Sequence, residues 1–481
     1  MTPAEAVILT LYYLVLALLA MYSVHRFYLV RLRRRTARDE AAMPLAAFAP
    51  PKLVVQLPLY NEPNVAERLI DAVAALEYPG ALEIQVLDDS DDGTTAIVAR
   101  RVEALRAAGV DIAHIRRGSR EGYKAGALAH GMRLTDASLF AVFDADFVPP
   151  RDLLVRMLPR FADPRVGMVQ ARWTHLNRER SLLTRVQAIF LDAHFAVESA
   201  ARHAGARFFN FNGTAGIWRR AAVEEAGGWS STTLTEDLDL SYRAQLAGWK
   251  FVFLNDVEVP AELPAALSGF QEQQHRWAKG SIQTARKLLA TIARSDFDRA
   301  VKTEAFFHLT NNSAYLLSVI LALLIVPAVF IRYRHGLGWT YAGDLVLFAM
   351  STGSVLLFYL EGQRWAGRPR PRLRELLAVL PVGVGMSVRN AMAVIEGLLQ
   401  RGGEFRRTPK RGDAARELIE RKPRAPWIES LLALFFAAAT GAFAAGHHWA
   451  SLPFLLLFIS GYGYVAAIGL KERLSYRPAK S

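Results

Sequence analysis

Hydrophobic and polar positions follow two different patterns along this chain. Near both ends, apolar runs of roughly twenty residues predict helices that can cross a membrane. Between them, short apolar runs alternate with amphipathic, helix-like stretches, and this order is typical of parallel βαβ units. The sequence therefore predicts an α/β domain set between membrane-spanning segments.

The first apolar run, residues 7–30, is followed at once by four arginines within residues 31–35. A secretory signal peptide carries its positive charge before the apolar core, and it ends in a small-residue cleavage site. This run has the opposite order, and basic residues favour the cytosolic side of a membrane. We therefore expect a permanent anchor with its amino terminus outside and its carboxyl end in the cytosol.

Four further apolar runs predict spans, at residues 306–331, 342–360, 428–446 and 452–470. Another run, residues 375–399, contains Pro381, Arg389 and Glu396 and so makes a poor membrane helix. If it crossed, the basic stretch 401–424 would lie outside, against the positive-inside tendency. We expect it to be interfacial or re-entrant, which leaves five crossings.

The composition of the chain limits the kinds of molecule that it can be expected to bind. Hydrophobic residues make up 52% of the chain, and the net charge is +13. Such a charge suits nucleic acid, a membrane surface or phosphorylated substrates. The arginines stand beside apolar runs, which favours a membrane and argues against nucleic acid. No cysteine is present, so disulfides, thiolate metal sites and cysteine nucleophiles are excluded.

Five short apolar runs predict the strands of the central domain, at residues 53–57, 83–87, 110–115, 139–143 and 166–170. Helix-like stretches accompany them, at residues 63–77, 94–108, 123–134 and 150–161. In open sheets of this kind, ligands bind beyond the carboxyl ends of the strands. Acidic clusters follow the first, second and fourth predicted strands, so we expect them to converge at one edge of the sheet.

The acidic residues suggest a reaction. Asp144 and Asp146 stand one residue apart at the end of the fourth predicted strand. Such a pair suits a divalent cation that also holds a phosphate. Asp237 offers a separate carboxylate as a base, and Arg276 and Trp277 offer a cation for the phosphate and an aromatic face for a sugar. The combination suggests glycosyl transfer from a nucleotide sugar.

Seven motifs carry a family resemblance: QLPLYNE, VLDDSDD, REGYKAGAL, FDADF, FNGTAGIWRR, TEDLDL and QQHRW. In this order they resemble the inverting glycosyltransferases of family 2 that carry membrane channels, among them cellulose synthase catalytic subunits. FNGTAGIWR, AGGW, and ELP before QQHRW make the chain more similar to the plant cellulose-synthase-like (gluco)mannan synthases. The resemblance implies an α/β GT-A (Rossmann-like) domain that faces the cytosol and is inserted in an α-helical, multi-span membrane domain.

The resemblance also implies roles on the donor side. Asp144 and Asp146 would coordinate Mg²⁺ or Mn²⁺ bridged to the diphosphate, which Lys124 and Arg276 would also contact. The base and ribose of the nucleotide would be held by Tyr60 and Glu62 with Asp88 or Asp89. The full set implied to bind the donor is Tyr60, Glu62, Asp88, Asp89, Lys124, Asp144, Gln273 and Arg276.

On the acceptor side, the resemblance makes Asp237 the general base. Trp277 would lie under the acceptor sugar at the channel mouth, and Asn212, Gly213 and Glu236 would line the same side. Inversion by direct displacement needs a base and a stabilised leaving group, so the chemistry agrees with these roles. Glu236 would raise the pKa of Asp237. The alternative for Asp237 is a plain carboxylate at a helix N-terminus.

Residues 404–410, EFRRTPK, resemble the F-x-V-T-x-K gating loop of cellulose synthases. In this comparison Phe405, Thr408 and Lys410 would form a loop that closes over bound nucleotide. Arg407 replaces the valine, and Pro409 is added, so the match is partial. The alternative is a basic cytosolic loop that meets anionic lipid.

Other chemistry-bearing residues are expected to be structural. His194, His203 and the pair His447 and His448 have no metal-ligand neighbours in the sequence. His275 lies inside QQHRW, but the resemblance gives its position no role.

The expected organisation has seven segments. They are an anchor (1–35), a linker (36–51), the GT-A domain (52–280), an interfacial amphipathic helix (281–300), two spans (301–362), a cytosolic interfacial helix with the gating loop (363–427), and two spans with a basic tail (428–481). The membrane would be the plasma membrane or, in a bacterium, the inner membrane.

The expected activity is processive and inverting β-glycosyl transfer. Mannose or glucose from GDP-mannose or UDP-glucose would join a growing glycan through a β-1,4 linkage, and the polysaccharide would cross the membrane. Membrane lipids and an accessory export protein are the expected partners. One alternative is a non-processive enzyme that glycosylates a lipid acceptor such as ceramide or diacylglycerol. A second alternative is an inactive nucleotide-binding scaffold.

Overall fold

The computed structural model describes residues 1–36, 49–400, 402–403, 410, 412 and 422–476. Most of the predicted linker and most of the predicted gating loop lie outside this part of the chain. Phe405 and Thr408 are among the residues outside it, whereas Lys410 is described.

The chain begins with helix α1 (Pro3–Thr36), which contains the predicted anchor. The α/β domain that follows has a seven-stranded sheet in the order β3-β2-β1-β4-β6-β5-β7. Strands β1 to β4 are parallel, β6 runs antiparallel to β4 and β5, and β7 is parallel to β5. The strands are β1 (Leu53–Leu59), β2 (Leu82–Asp88), β3 (Ile112–Ile115), β4 (Leu139–Val142), β5 (Val166–His175), β6 (Gly216–Arg219) and β7 (Lys250–Ala261).

Eight helices in the described part of this domain cover the sheet and its edges. Helix α2 shows why they form, because its buried residues Ala66, Leu69, Ile70 and Val73 recur at helical spacing and pack on the sheet. The helices are α2 (Ala66–Ala74), α3 (Thr94–Ala107), α4 (Tyr123–Arg133), α5 (Leu153–Met157), α6 (Leu182–Ala193), α7 (Ala200–Ala204), α8 (Arg220–Glu225) and α9 (Glu236–Leu246). A π-helical segment, His194–Ser199, joins α6 to α7.

The remaining described chain is helical. Its helices are α10 (Leu267–Arg294), α11 (Arg299–Thr310), α12 (Ser313–Arg334), α13 (Tyr341–Trp365), α14 (Leu373–Gly385), α15 (Ser387–Leu399), α16 (Trp427–Ala445) and α17 (Leu452–Ser475). In the part of the chain that the structure describes, five helices are long and apolar enough to cross a membrane: α1, α12, α13 with the preceding turn, α16 and α17. Helices α14 and α15 meet at a bend of 44° and pass the same test only as a pair, as a broken span or a re-entrant loop.

Two expected segments differ from their observed form. The predicted span 306–331 is interrupted, because α11 ends at Thr310 and the crossing helix begins at Ser313. Ala305 and Leu309 are buried against the α/β domain instead of facing lipid.

The second difference concerns the interfacial amphipathic helix expected at residues 281–300. Residues 281–294 are instead the second half of α10, and residues 278–285 are all buried. This half of the helix packs against α9, α11 and α15. Small side chains allow the close approach, since a Cβ atom on Gly280 would lie 2.5 Å from Thr235 Cγ2.

Candidate active site

A cleft opens beyond the carboxyl ends of β1, β2 and β4. The sequence-predicted residues Tyr60, Glu62, Asp89, Lys124, Asp144, Asp146, Asn212, Gly213, Glu236, Asp237, Gln273, Arg276, Trp277 and Lys410 all line it. Residues from eight separate stretches of the chain therefore meet at one edge of the sheet. This convergence is what the parallel βαβ order predicts for its polar clusters.

Asp88, predicted with Asp89 as a donor-binding residue, does not face the cleft. Its side chain is buried, and it accepts a hydrogen bond from the Ser90 amide at 2.9 Å and lies 2.9 Å from His114 Nε2. Burial alone would raise the pKa of Asp88, but the hydrogen bonds from His114 and Ser90 lower it to about 2. Asp88 thus holds the loop after β2 in shape, and Asp89 is the member of the pair that lines the cleft.

Two arginines beside the cleft were not predicted. Arg117 forms a two-pronged ion pair with Asp89, with Nε 2.8 Å from Oδ1. The Arg120 guanidinium carbon lies 3.2 Å from the ring centroid of Tyr60 and 5.1 Å from that of Tyr123. The sequence signal was available, because Arg120 is the first residue of the REGYKAGAL motif and Arg117 stands three positions before it.

Both carboxylates of the Asp144 and Asp146 pair are bound to ammonium groups. Lys124 contacts Asp144 and donates to the Gly213 carbonyl at 2.8 Å, while Lys410 Nζ lies 2.6 Å from Asp146 Oδ2. Burial would lower the pKa of Lys124, but the carboxylates of Asp144 and Glu236 raise it above its usual value. The two aspartates therefore form a site that attracts cations.

The same pair fits Mg²⁺ or Mn²⁺. Carboxylate oxygens are the ligands that such hard cations prefer. Among the described residues, no group of three or more His, Cys, Asp or Glu side chains has a metal-binding arrangement. Two carboxylates suit an ion that takes its other ligands from substrate phosphates and water.

Asp237 lies in the first turn of α9, and its Oδ1 accepts the Leu238 amide at 2.8 Å. Burial raises the pKa of Asp237 to about 7, the negative charge of Glu236 adds to the rise, and Lys124 opposes it. A carboxyl group with a pKa near neutrality is suited to take a proton from a hydroxyl group at physiological pH.

Gly213 allows the acceptor loop to approach this carboxyl group. Its φ angle is +84°, and a Cβ atom there would lie 3.0 Å from Asp237 Oδ2 and 3.6 Å from Lys124 Nζ. Glycine is thus required both by the backbone conformation and by the lack of space.

Gln273, Arg276 and Trp277 lie on one face of α10, because positions three and four apart are neighbours on a helix. The first turn of this helix is held by the last candidate membrane span: Glu472 of α17 accepts hydrogen bonds from the amides of Leu267 at 2.5 Å and Ser268 at 3.0 Å. Helix α10 is therefore fixed directly to this candidate span.

Comparisons with known proteins agree with the fold. Residues 50–280 match the family described as "Glycosyltransferase like family 2". The chain is 35% identical over 462 residues to Glucomannan 4-beta-mannosyltransferase 1 of Oryza sativa subsp. japonica, and the match covers 89% of this chain and 85% of the relative. It is 39% identical to Probable glucomannan 4-beta-mannosyltransferase 10 of Arabidopsis thaliana, over 64% of this chain and 58% of that protein.

Among solved structures, the chain resembles the mannosyltransferase PcManGT from Pyrobaculum calidifontis, determined in complex with GDP-Man and Mn²⁺. The TM-score is 0.52 at 21% identity, and the alignment covers 80% of this chain and 99% of that one. At this identity the similarity is evidence of a common fold.

Proposed function

This chain belongs to glycosyltransferase family 2, and on that premise we propose that it polymerises mannose or glucose from a nucleotide sugar into a β-1,4-linked glycan and moves the product across a membrane. It is a glycosyltransferase with a GT-A catalytic domain and several apolar helices that flank it. The names of the relatives support mannose and the 1,4 linkage. GDP-mannose is accordingly the first donor to test, and UDP-glucose is the second.

The proposal rests on one observation. The carboxyl group of Asp237 and the cation-attracting pair Asp144 and Asp146 line the same cleft. Asp237 would take the proton of the acceptor hydroxyl group as that oxygen attacks the anomeric carbon of the donor. Lys124 and Arg276 would neutralise the charge that develops on the departing diphosphate. Because attack and departure occur on opposite faces of the sugar, the configuration at that carbon inverts.

Asp144 and Asp146 would hold the divalent ion, which when bound supplies Lewis-acid stabilisation of the diphosphate. Lys124 contacts Asp144 from the other side and would stay beside the phosphates as the donor binds. Tyr60, Glu62 and Asp89 would hold the nucleoside. Arg120 covers the Tyr60 ring, so a base that stacks on that ring would displace the guanidinium.

Trp277 would support the acceptor sugar. An aromatic ring binds the C–H face of a sugar without fixing one register, which suits a chain that advances by one residue per cycle. The helix that carries Trp277 is fixed to α17 through Glu472, which supports a product path that continues among the membrane helices.

The proposed membrane is the plasma membrane or a bacterial inner membrane, with the catalytic domain in the cytosol. The arginines at the end of α1 lie on the side of that domain: Arg33 Nε donates to the Ala196 carbonyl at 3.1 Å, and Arg34 pairs with Glu361 at 2.7 Å. Basic residues favour the cytosolic face, which supports an outside amino terminus. Membrane lipids and a separate export protein are proposed as further partners.

The experiment that tests this function is product analysis. Purified, detergent-solubilised protein with Mn²⁺ or Mg²⁺ is given radiolabelled GDP-mannose or UDP-glucose in parallel reactions. Label in a high-molecular-weight, ethanol-insoluble fraction is the expected result, and the productive donor identifies the sugar. Label only in an organic-extractable product would contradict the polymerase and indicate a glycolipid synthase, and no transfer from either donor would contradict both.

A further inference from the structure

Asn212 lies where the acceptor hydroxyl group has to meet the base. It lines the cleft, and it directly precedes Gly213, whose missing Cβ atom would lie 3.0 Å from Asp237 Oδ2. A general base works within hydrogen-bond distance of the proton that it removes. The Asn212 side chain is therefore next to the acceptor sugar in any productive complex at this site.

The orientation of the Asn212 amide follows from its neighbours. Asn210 Nδ2 donates to the Phe211 carbonyl at 3.1 Å, which fixes that nitrogen as a donor, and it lies 3.1 Å from Asn212 Oδ1. His194 Nε2 is 2.9 Å from the same oxygen. Since Oδ1 is the acceptor in both contacts, His194 donates from Nε2.

The other ring nitrogen of His194 faces a carboxylate. Nδ1 lies 3.0 Å from Glu198 Oε2, so the carboxylate contacts the side of the ring that is opposite Asn212. Burial would raise the pKa of Glu198, but Arg202 and His194 lower it below its usual value. The carboxylate thus stays ionised and holds the imidazole ring in one orientation.

His194 and Glu198 are the end of a largely buried series of ionisable side chains that reaches helix α1. Arg202 lies 3.6 Å from Glu198 and 2.8 Å from Glu304 of α11, and Glu304 lies 2.8 Å from His25 of α1. Removing one member of such a buried series leaves its partners uncompensated, so the series resists rearrangement.

The backbone conformation that presents His194 is unusual. It is the first residue of the π-helical segment between α6 and α7, and Glu198 follows it four residues later in the same segment. Single π-helical turns occur frequently at functional sites, where they alter the direction of side chains.

We propose that His194 is a positioning residue for the acceptor: it holds Asn212 so that the amide nitrogen faces the acceptor sugar beside Asp237. With Oδ1 bound by His194 and Asn210, and one N–H directed 3.4 Å to the Asn210 carbonyl, the second N–H of Nδ2 is left to donate to a sugar hydroxyl group. This assignment rests on the proposed function, because it requires a hydroxyl acceptor at Asp237. It goes beyond the structural role that the sequence analysis expects for His194.

The test compares His194→Ala and His194→Gln with a matched control, His203→Ala. His203 is a half-buried histidine on the neighbouring helix α7 that does not line the cleft. Transfer of label from the productive donor is measured with β-1,4-mannotetraose and, separately, cellotetraose as soluble acceptor. The KM for acceptor, the kcat and the Kd for donor are determined for each variant.

We expect His194→Ala to raise the acceptor KM by about tenfold, the effect of one lost hydrogen bond to a bound group, with an unchanged donor Kd. His194→Gln retains an N–H donor and should recover at least half of this loss on a logarithmic scale. An unchanged acceptor KM in His194→Ala, or an equal rise in His203→Ala, would overturn the assignment. If His194→Ala does not fold, Glu198→Gln decides, since weakening the hold on the ring should also raise the acceptor KM. Wild-type protein that transfers to neither acceptor would instead contradict the proposed function.

Discussion

Lys410 Nζ lies 2.6 Å from Asp146 Oδ2 and 3.0 Å from the carbonyl oxygen of Glu262. The side chains of both Lys410 and Asp146 are about nine-tenths buried, so water screens their attraction little. The ammonium group of Lys410 thus contacts the carboxylate of Asp146, which is proposed to bind the divalent ion. Donor-dependent closure of the 404–410 loop, expected from its resemblance to a gating loop, would have to change this contact.

The first prediction concerns Lys410→Met. Without the ammonium group, Asp146 should bind Mn²⁺ more tightly in the absence of donor, by about three- to tenfold, since a buried cation that water screens little no longer competes with the ion. Mn²⁺ affinity is measured by electron paramagnetic resonance on purified protein without nucleotide. Lys422→Met is the control, because Lys422 is exposed and its loss changes the net charge equally. Equal affinities in all three proteins would show that Lys410 does not compete with the ion.

Gly213→Ala provides a second prediction. The new methyl group would lie 3.0 Å from Asp237 Oδ2, so it should displace the base and lower transfer roughly 10- to 100-fold. Gly109→Ala is the matched control: its φ angle is +87°, but no atom lies within 4 Å of the added Cβ. Both variants carry the backbone strain of a positive φ angle, about 1–2 kcal/mol, and should lose similar thermal stability. If both variants retain full transfer rates, glycine at position 213 serves only the positive φ angle of the backbone.

The pH dependence of transfer follows from the raised pKa of Asp237. The base is protonated below its pKa and available above it, so kcat/KM should rise as pH increases through about 7 and then level off. Glu236→Gln removes a neighbouring negative charge that contributes to the rise, and it should move the midpoint to lower pH. Glu224→Gln, on the exposed surface of α8, should leave the midpoint unchanged. A rate that is flat from about pH 5 to about pH 8 would contradict the assignment of Asp237 as base.

Much of the fold could be predicted from the sequence alone, in the segments where the hydrophobic positions follow a single clear pattern. The five predicted strands correspond to β1 to β5, and five helices of the described chain have the length and composition of spans, as expected. Strands β6 and β7 were not located. Polar residues such as Asn255 and Glu258 interrupt the apolar pattern of strand β7, and its pairing with β5 is what identifies it. The π-helical segment has no local sequence signal either.

The candidate site could be predicted where a polar motif comes directly after the carboxyl end of a strand. Asp144, Asp146, Asp237 and Trp277 meet in one cleft because the topology brings those strand and helix ends together. Asp88 could not be separated from Asp89 by sequence, because adjacent residues at a strand end differ in direction and only the structure shows which one is buried. His194 lacks a motif, and its contact with Asn212 depends on the tertiary fold.

The most direct test of the central claim compares Asp237→Asn with wild-type protein in two measurements on one preparation, donor binding and transfer. The asparagine keeps the shape of the side chain but cannot accept the proton, so transfer should fall by a factor of roughly 10² to 10⁴. Donor Kd, measured by calorimetry with Mn²⁺ present, should stay within about threefold of wild type. Transfer by Asp237→Asn at a rate near that of wild type would contradict the account, because the cleft would then work without its proposed base.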